Sequence, residues 1–225
     1  MILYDKNNNP KLITDFNYLT EGTSARIYVK DDVVLKEYKC NKRFIITKEV
    51  FETLKNSKIE NIVELYDYYY VCCSKLKNLY SIDYHTMKYI KDNKVSLLYA
   101  DIKYLEEVAK KLEITLRQLC ENRIIINDTH EGNIIFSENG VTIIDPDLFL
   151  INKKMSDRQL YLYNKSGMIK YINSTVNDEL FYLINRNFTF ITSFEDDRTF
   201  YDEVMCNIKE DNIYNTLKLR RKYVK

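Results

Sequence analysis

The amino-acid sequence predicts an α+β fold in two lobes, a small five-stranded N-terminal lobe and an abbreviated helical C-terminal lobe. Three observations carry this expectation. Short β-branched and aromatic runs fill residues 16–90 with one helical interruption. From Asp101 onward the apolar residues recur at steps of three and four. The chain has only four Gly and two Pro in 225 residues, so the grouping of Gly132, Gly140 and Pro146 marks backbone that must turn sharply or approach something closely. The length suits one domain of two lobes, with residues 1–90 forming the first and 91–225 the second.

Residues 16–19, 27–29 and 33–38 read as three antiparallel strands, separated by Glu21-Gly22-Thr23-Ser24 and by Asp31-Asp32. Ile46, Val50 and Leu54 then recur every fourth residue behind Thr47, a good N-cap, and predict a helix of about three turns. Residues 62–73 and 79–90, rich in Tyr, Val and Ile, read as two further strands around a turn at 74–78, giving the order βββαββ. Ile102, Leu105, Ala109, Leu112, Leu116 and Leu119 form the stripe of a long amphipathic helix that ends near Asn122. Three short apolar strands follow at 124–126, 133–136 and 141–144, the last two joined by the hairpin signal Ser137-Glu138-Asn139-Gly140. Beyond Leu150 the periodicity weakens, with helices expected at 177–185 and 202–208 and a polar terminal helix at 212–225.

Composition excludes several classes of function. Lys and Arg number 34 against 33 Asp and Glu, so no global field attracts nucleic acid or an anionic membrane. No apolar run approaches the ~18 residues of a membrane span, and the protein is expected to be soluble. A hydrophobic content of 45% with 20 Tyr and 10 Phe is enough for a core and excludes a disordered chain. The five Cys (40, 72, 73, 120 and 206) are odd in number and lack metal-ligand spacing, and the first residues are too polar for a signal peptide. Reduced thiols in a cytoplasmic protein are the expectation. The basic end, Lys218 to Lys225 with Arg220, Arg221 and Lys222, reads as a solvated helix end, with a site for an acidic or nucleic-acid partner as the alternative, and nothing in the sequence bears on oligomeric state.

The chemistry concentrates in the second half. Asp128 and Asn133 lie five apart in a loop between two apolar runs, and Asp145 ends a third, so one cleft can receive all three side chains. Phosphoryl transfer from a magnesium nucleotide needs such a set: a carboxylate that orients or accepts the proton of the attacking hydroxyl, and hard oxygen ligands for Mg²⁺. Asp128 suits the first role, Asn133 and Asp145 the second. The first half supplies a complement. Thr20 to Ile27, with Gly22, Thr23, Ser24 and Ala25 at its centre, is a small-residue turn that can bring backbone N–H groups to phosphate oxygens. Lys36 sits mid-strand, where an inward ammonium can bind the α- and β-phosphates, and Glu49 on the next helix, or Glu52 one turn on, can pair with it. The chain contains no G-x-x-x-x-G-K-[ST] loop.

These residues together resemble the protein-kinase-like superfamily. Gly22, Ser24 and Ala25 look like its glycine-rich loop, with Thr20 and Ala25 in place of the first and third glycines, and Val33-Val34-Leu35-Lys36 looks like V-A-I-K. Asn127-Asp128-Thr129-His130-Glu131-Gly132-Asn133 resembles the catalytic loop in the D-x-H-x-G-N form of atypical, aminoglycoside and choline kinases. The resemblance implies that Met87, Lys88, Tyr89 and Ile90 are the gatekeeper and hinge that receive adenine. It also implies that Asp145-Pro146-Asp147 stands in place of D-F-G, with Asp147 a further metal ligand. Asn127 replaces the Arg of the usual loop, His130 reads as a structural hydrogen-bonding residue, no A-P-E follows, and only 80 residues remain after Asp145. The implied protein is a minimal kinase that uses ATP and Mg²⁺ and phosphorylates a protein Ser or Thr. A small hydroxyl-bearing acceptor is the alternative, for which Glu195, Asp196, Asp197, Asp202 and Glu203 would supply an acidic rim to a cationic substrate. A pseudokinase acting as a binding module is the third reading.

Overall fold

The structure, a computed structural model, describes residues 1–39, 45–71, 82–91, 94–96, 100–128 and 132–175. Its elements in chain order are β1 (Ile2–Tyr4), β2 (Pro10–Leu12), β3 (Asn17–Glu21), β4 (Ala25–Lys30), β5 (Val33–Tyr38), α1 (Lys48–Ser57), β6 (Leu65–Tyr69) and β7 (Tyr84–Lys88). They continue with α2 (Ile102–Glu121), β8 (Ile124–Ile125), β9 (Ile134–Ser137), β10 (Gly140–Ile143), β11 (Leu150–Ile151) and α3 (Asp157–Thr175). The expected turn at 74–78 and the helices expected at 177–185, 202–208 and 212–225 lie outside the described residues, as do His130 and the acidic residues 195–203.

Five strands form one antiparallel sheet in the order β3-β4-β5-β7-β6, which places β5 at its centre. Residues directly opposite on neighbouring strands share a face. The pairings Val34 with Met87 and Lys36 with His85 therefore line one face, and Leu35 with Thr86 and Glu37 with Tyr84 line the other. The second face is closed by the β1–β2 hairpin: Leu3 joins Leu35 and Tyr84 in a buried cluster, with Ile13, Phe16, Tyr28 and Tyr69 against it. Glu37 on that face accepts hydrogen bonds from the hydroxyls of Tyr28 at 2.8 Å and Tyr84 at 2.7 Å, which satisfy a carboxylate at the edge of the cluster.

Helix α1 packs on the first face. Thr47 caps it, its hydroxyl accepting from the Val50 N–H at 3.2 Å, and Val50, Phe51 and Leu54 are buried. The ring of Phe51 meets Tyr68 edge-on at 5.2 Å and His85 at 5.8 Å. The strand expected over 62–73 is shorter in the sheet because Ile62 and Val63 turn away to the second half: Val63 N–H donates to the Ile143 carbonyl at 2.8 Å.

That departure builds the joint between the halves. Asn61 Nδ2 donates to the Lys111 carbonyl at 3.0 Å and to Thr115 Oγ1 at 2.9 Å, while Ile143 N–H donates to the Asn61 carbonyl at 2.7 Å. Asn61 takes φ = 59°, a left-handed conformation that Asn tolerates better than most residues. Helix α2 carries the second core, with Leu105, Val108, Ala109, Leu112, Leu116 and Leu119 all buried; each buried Leu contributes about 1.5–3 kcal/mol. Ile102, expected in the same stripe, lies in the first turn and is exposed, because Asp101 caps the helix just outside the packed region.

The hairpin strands β1 and β2, the short β11 and helix α3 lie outside the sequence expectation: the first residues are polar, and β11 and α3 fall where the apolar period is weak. The expected hairpin at 137–140 forms, with Gly140 at φ = +112°. Tyr104 of α2 donates to the Ser137 carbonyl at 2.8 Å and ties the hairpin to the helix. No helix among the described residues is long and apolar enough to cross a membrane.

Gly140 supplies a test of this packing. A Cβ there would stand 2.6 Å from Lys111 Nζ and 2.8 Å from Lys111 Cδ, on a backbone that L-residues rarely adopt. Gly140→Ala is expected to lower stability by roughly 1–3 kcal/mol, read as a lower midpoint of urea unfolding at unchanged slope.

Candidate active site

Lys36 is placed by strand alternation on the α1-facing side of the central strand, where it is 4% exposed. Its ammonium bonds two carboxylates distant in the sequence, Asp145 Oδ1 at 2.9 Å, 109 residues on, and Asp147 Oδ2 at 2.7 Å. The face of the Tyr38 ring lies 5.7 Å from Nζ. Asp145 and Asp147 reach it because β10 ends at Ile143 beside the Asn61 joint, and the chain then turns at Pro146. Asp147 N–H donates to Asp145 Oδ1 at 3.2 Å, so one turn sets both side chains.

The predicted loop residues converge on the same place. Ile144 N–H donates to the Asn133 carbonyl at 2.9 Å, and Asn133 Nδ2 donates to the Asp128 carbonyl at 2.8 Å. A short chain of bonds therefore runs from Asp128 through Asn133 to the residue before Asp145. Asp128 is exposed and takes φ = 63°, the left-handed conformation. The loop is held from behind by residues that sequence reasoning gave no role. Asn127 Nδ2 donates to the Leu148 carbonyl at 3.0 Å, and its Oδ1 accepts from the Tyr163 hydroxyl at 2.9 Å. Asn164, fully buried, accepts from Ile126 N–H and donates to the Ile124 carbonyl, both at 2.8 Å.

The remaining candidates fall into three places. In the small-residue turn, Gly22 N–H donates to the Ala25 carbonyl at 2.9 Å and the Gly22 carbonyl accepts from Lys39 Nζ at 2.8 Å. Gly22 and Thr23 are exposed, Ser24 is half-buried and Ala25 is buried opposite Tyr38. Gly22 N–H thus closes the turn on itself. Met87 is buried opposite Val34, and Lys88 N–H and Tyr89 N–H donate to the carbonyls of Glu64 (2.9 Å) and Asp32 (2.8 Å), with Ile90 half-buried beyond them. Glu49 is not with Lys36. Its carboxylate is exposed and bonds Lys153 at 2.9 Å, while Glu52 lies 4.0 Å from Lys6, so the expected partnership of Lys36 with either glutamate is corrected. Helical spacing placed these two on one side of α1, but the helix directs that side away from the ammonium and toward the β11 turn and the N-terminal hairpin.

Burial works against the charge of Lys36, but Asp147 and Asp145 outweigh it and hold its pKa above the usual lysine value. Burial also pushes on Asp145, where Lys36 wins and keeps the carboxyl below its ordinary range. In Asp147 burial wins with help from Asp145, and the pKa is pushed up to about 6. His85, fully buried on β7 directly opposite Lys36 and on the same face, is driven down to about 3 by burial and then by the Lys36 charge. It is neutral, and leaves the lysine as the cation of that face.

Among the described residues no three His, Cys, Asp or Glu side chains converge as a self-sufficient metal cage. Of the expected Mg²⁺ ligands, Asp145 and Asn133 could supply oxygens to an ion that takes one or two carboxylates and completes its shell with phosphates and water, whereas both oxygens of Asp147 are already bonded, to Lys36 and to Tyr38.

No family model matches this chain, and no curated protein matches it. Among solved structures, it is similar to the kinase PK-1 of the Cydia pomonella granulovirus at 15% identity and a TM-score of 0.43. That likeness covers 63% of this chain and 54% of the other, so the chain spans about half the length of the structure it matches.

The histidine predicts a pH dependence. Its folded pKa lies below the unfolded value of 6.5, so protons bind the unfolded chain better and stability falls as pH drops from 6.5 toward 3, by roughly 5 kcal/mol in the limit. Asp147 acts in the opposite sense between pH 6 and 3.8, because its raised pKa favours the protonated folded form. His85→Leu is expected to remove most of the acid loss below pH 6, measured as the change in urea midpoint between pH 7 and pH 4.

Proposed function

We propose that this protein is a minimal kinase that transfers the γ-phosphoryl group of ATP to a hydroxyl, and that the acceptor is a protein Ser or Thr. The observation that carries this reading is the Lys36 ammonium on the central strand, bonded to Asp145 at 2.9 Å from 109 residues away, with the Asp128–Asn133 loop tied to the same turn. The sheet with α1 (residues 1–90) is the nucleotide lobe, and the chain from residue 91 onward is the catalytic lobe.

Each residue has a task in this proposal. An ammonium has three N–H donors; two of those on Lys36 hold Asp145 and Asp147, and the third is directed to the α- and β-phosphates. The turn at Gly22, Thr23, Ser24 and Ala25 covers the triphosphate through the backbone of its middle residues, since Gly22 N–H is already bound. The purine lies against Met87, and its backbone contact falls to Ile90, because Lys88 and Tyr89 have committed their N–H groups elsewhere. Asp128 orients the acceptor hydroxyl and takes its proton, its carbonyl fixed by Asn133. Asn133 and Asp145, with Asp147 as a further candidate, would hold Mg²⁺, which when bound neutralises charge on the transferred phosphoryl group. Catalysis on this plan is positioning and charge neutralisation.

A protein acceptor is favoured over a small one by the chain between the hinge and the loop. The stretch 91–125 is short for an inserted substrate subdomain, and its one helix among the described residues, α2 (Ile102–Glu121), spends its apolar side on the core.

The test is transfer of labelled γ-phosphate from Mg-ATP to a mixed protein or small-molecule acceptor pool. Asp128→Asn is expected to lower transfer at least ~100-fold while nucleotide still raises the melting temperature, as loss of a base without loss of binding requires. Equal labelling by wild type and variant would overturn the role of Asp128. Thermal stabilisation by Mg-ATP without transfer to any acceptor would overturn the enzyme and leave a nucleotide-binding module.

A further inference from the structure

Resting on the kinase reading, we infer that Asp147 is the carboxylate that anchors Lys36, in the place expected for a glutamate of α1, and that Tyr38 is the positioning residue that holds Asp147 there. Both oxygens of Asp147 are spent inside the protein. Oδ2 bonds the Lys36 ammonium at 2.7 Å and Oδ1 accepts from the Tyr38 hydroxyl at 2.6 Å. The side chain of Asp147 is 7% exposed against 33% for Asp145, its neighbour two residues earlier. A ligand of a nucleotide-borne cation must face the cleft; an anchor must lie behind the ammonium. Asp145 has the first position and Asp147 the second.

Tyr38 is built for its part. It follows Lys36 by two residues on β5, so both side chains leave the same face of the central strand. Its ring lies beside the ammonium and its hydroxyl, also within reach of Ile46 N–H at 3.4 Å, is aimed at Asp147. The two glutamates that could compete are engaged elsewhere, Glu49 with Lys153 and Glu52 toward Lys6. The metal then falls to Asp145 and Asn133, and the lysine is set without any contribution from the charged side of α1.

The experiment compares wild type, Asp147→Asn, Tyr38→Phe and Glu49→Gln in the full chain. The first readout is the rate at which a hydroxysuccinimide ester labels Lys36 at pH 8, followed by peptide mass spectrometry. The second is ATP turnover as a function of ATP and of Mg²⁺. Asp147→Asn is expected to raise Lys36 labelling at least fivefold and the KM for ATP about tenfold, with the half-saturating Mg²⁺ concentration within twofold of wild type. Tyr38→Phe, which keeps the ring and therefore the packing, moves both quantities in the same direction by two- to fivefold, and Glu49→Gln leaves Lys36 labelling within twofold. Unchanged labelling in both Asp147→Asn and Tyr38→Phe overturns the inference, as does a tenfold rise in half-saturating Mg²⁺ for Asp147→Asn at unchanged labelling. If wild type turns over no ATP, the kinase reading falls by itself, and the labelling series still decides which carboxylate holds Lys36.

Discussion

A buried ammonium on the central strand of a sheet is tolerable only if carboxylates come to it, and in this protein they come from the opposite end of the described fold. An ammonium buried with no counter-ion at all would cost about 3–5 kcal/mol, and here two carboxylates share the task of offsetting it. Much of the architecture serves to bring Asp145 and Asp147 to Lys36. The chain leaves the sheet at Ile62 and Val63 to bond β10, Asn61 fastens that crossing to α2, and the turn at Pro146 then has little choice of direction. The polar centre and the joint between the halves are therefore one construction.

The second half relies on buried amides where loops would otherwise leave backbone groups unpaired. Asn133 and Asn164 bind main-chain groups of the segments around Asp128, Asn164 with no exposed surface, and Asn127 ties the residue before Asp128 to the Leu148 carbonyl. Amide side chains carry both a donor and an acceptor, so one residue can satisfy an N–H and a carbonyl on the same irregular strand, as Asn164 does for Ile126 and Ile124. This arrangement lets Asp128 remain exposed and left-handed while the backbone on both sides of it is held.

The elements legible in the sequence were those whose pattern is local. The strands β3 to β5, the Thr47 cap of α1, the stripe of α2 and the Gly140 hairpin all announce themselves within ten to twenty residues. The β1–β2 hairpin did not, because Pro10, Lys11 and Leu12 are all exposed and carry no alternation. Helix α3 did not, because its amphipathic pattern is weak: Leu160, Tyr161 and Met168 are buried, but the polar Asn164 is buried among them and Tyr163 also turns its hydroxyl inward to Asn127. In the site, Lys36, Asp128, Asn133 and Asp145 were legible as residue types at telling spacings. The partner of Lys36 was not: spacing on α1 singles out Glu49 and Glu52 but not the direction in which the helix aims them. The available signal for Asp147 was Tyr38, two residues from Lys36 on a strand and therefore beside it, with a hydroxyl that must find an acceptor when buried.

Helix α3 has an uneven tolerance to change as a result of its construction. Its outward positions make few demands on residue type, so charged, aromatic or small side chains can replace one another there with little effect on folding. Asn164 stands apart: an apolar residue of the same volume would fit the space yet strand a main-chain donor and a main-chain acceptor in the interior, and the strand leading into the Asp128 loop would lose its only described side-chain clasp. Across variants that keep the loop intact, this helix would hold Asn164 and the buried Leu160, Tyr161 and Met168 while its outward positions drift.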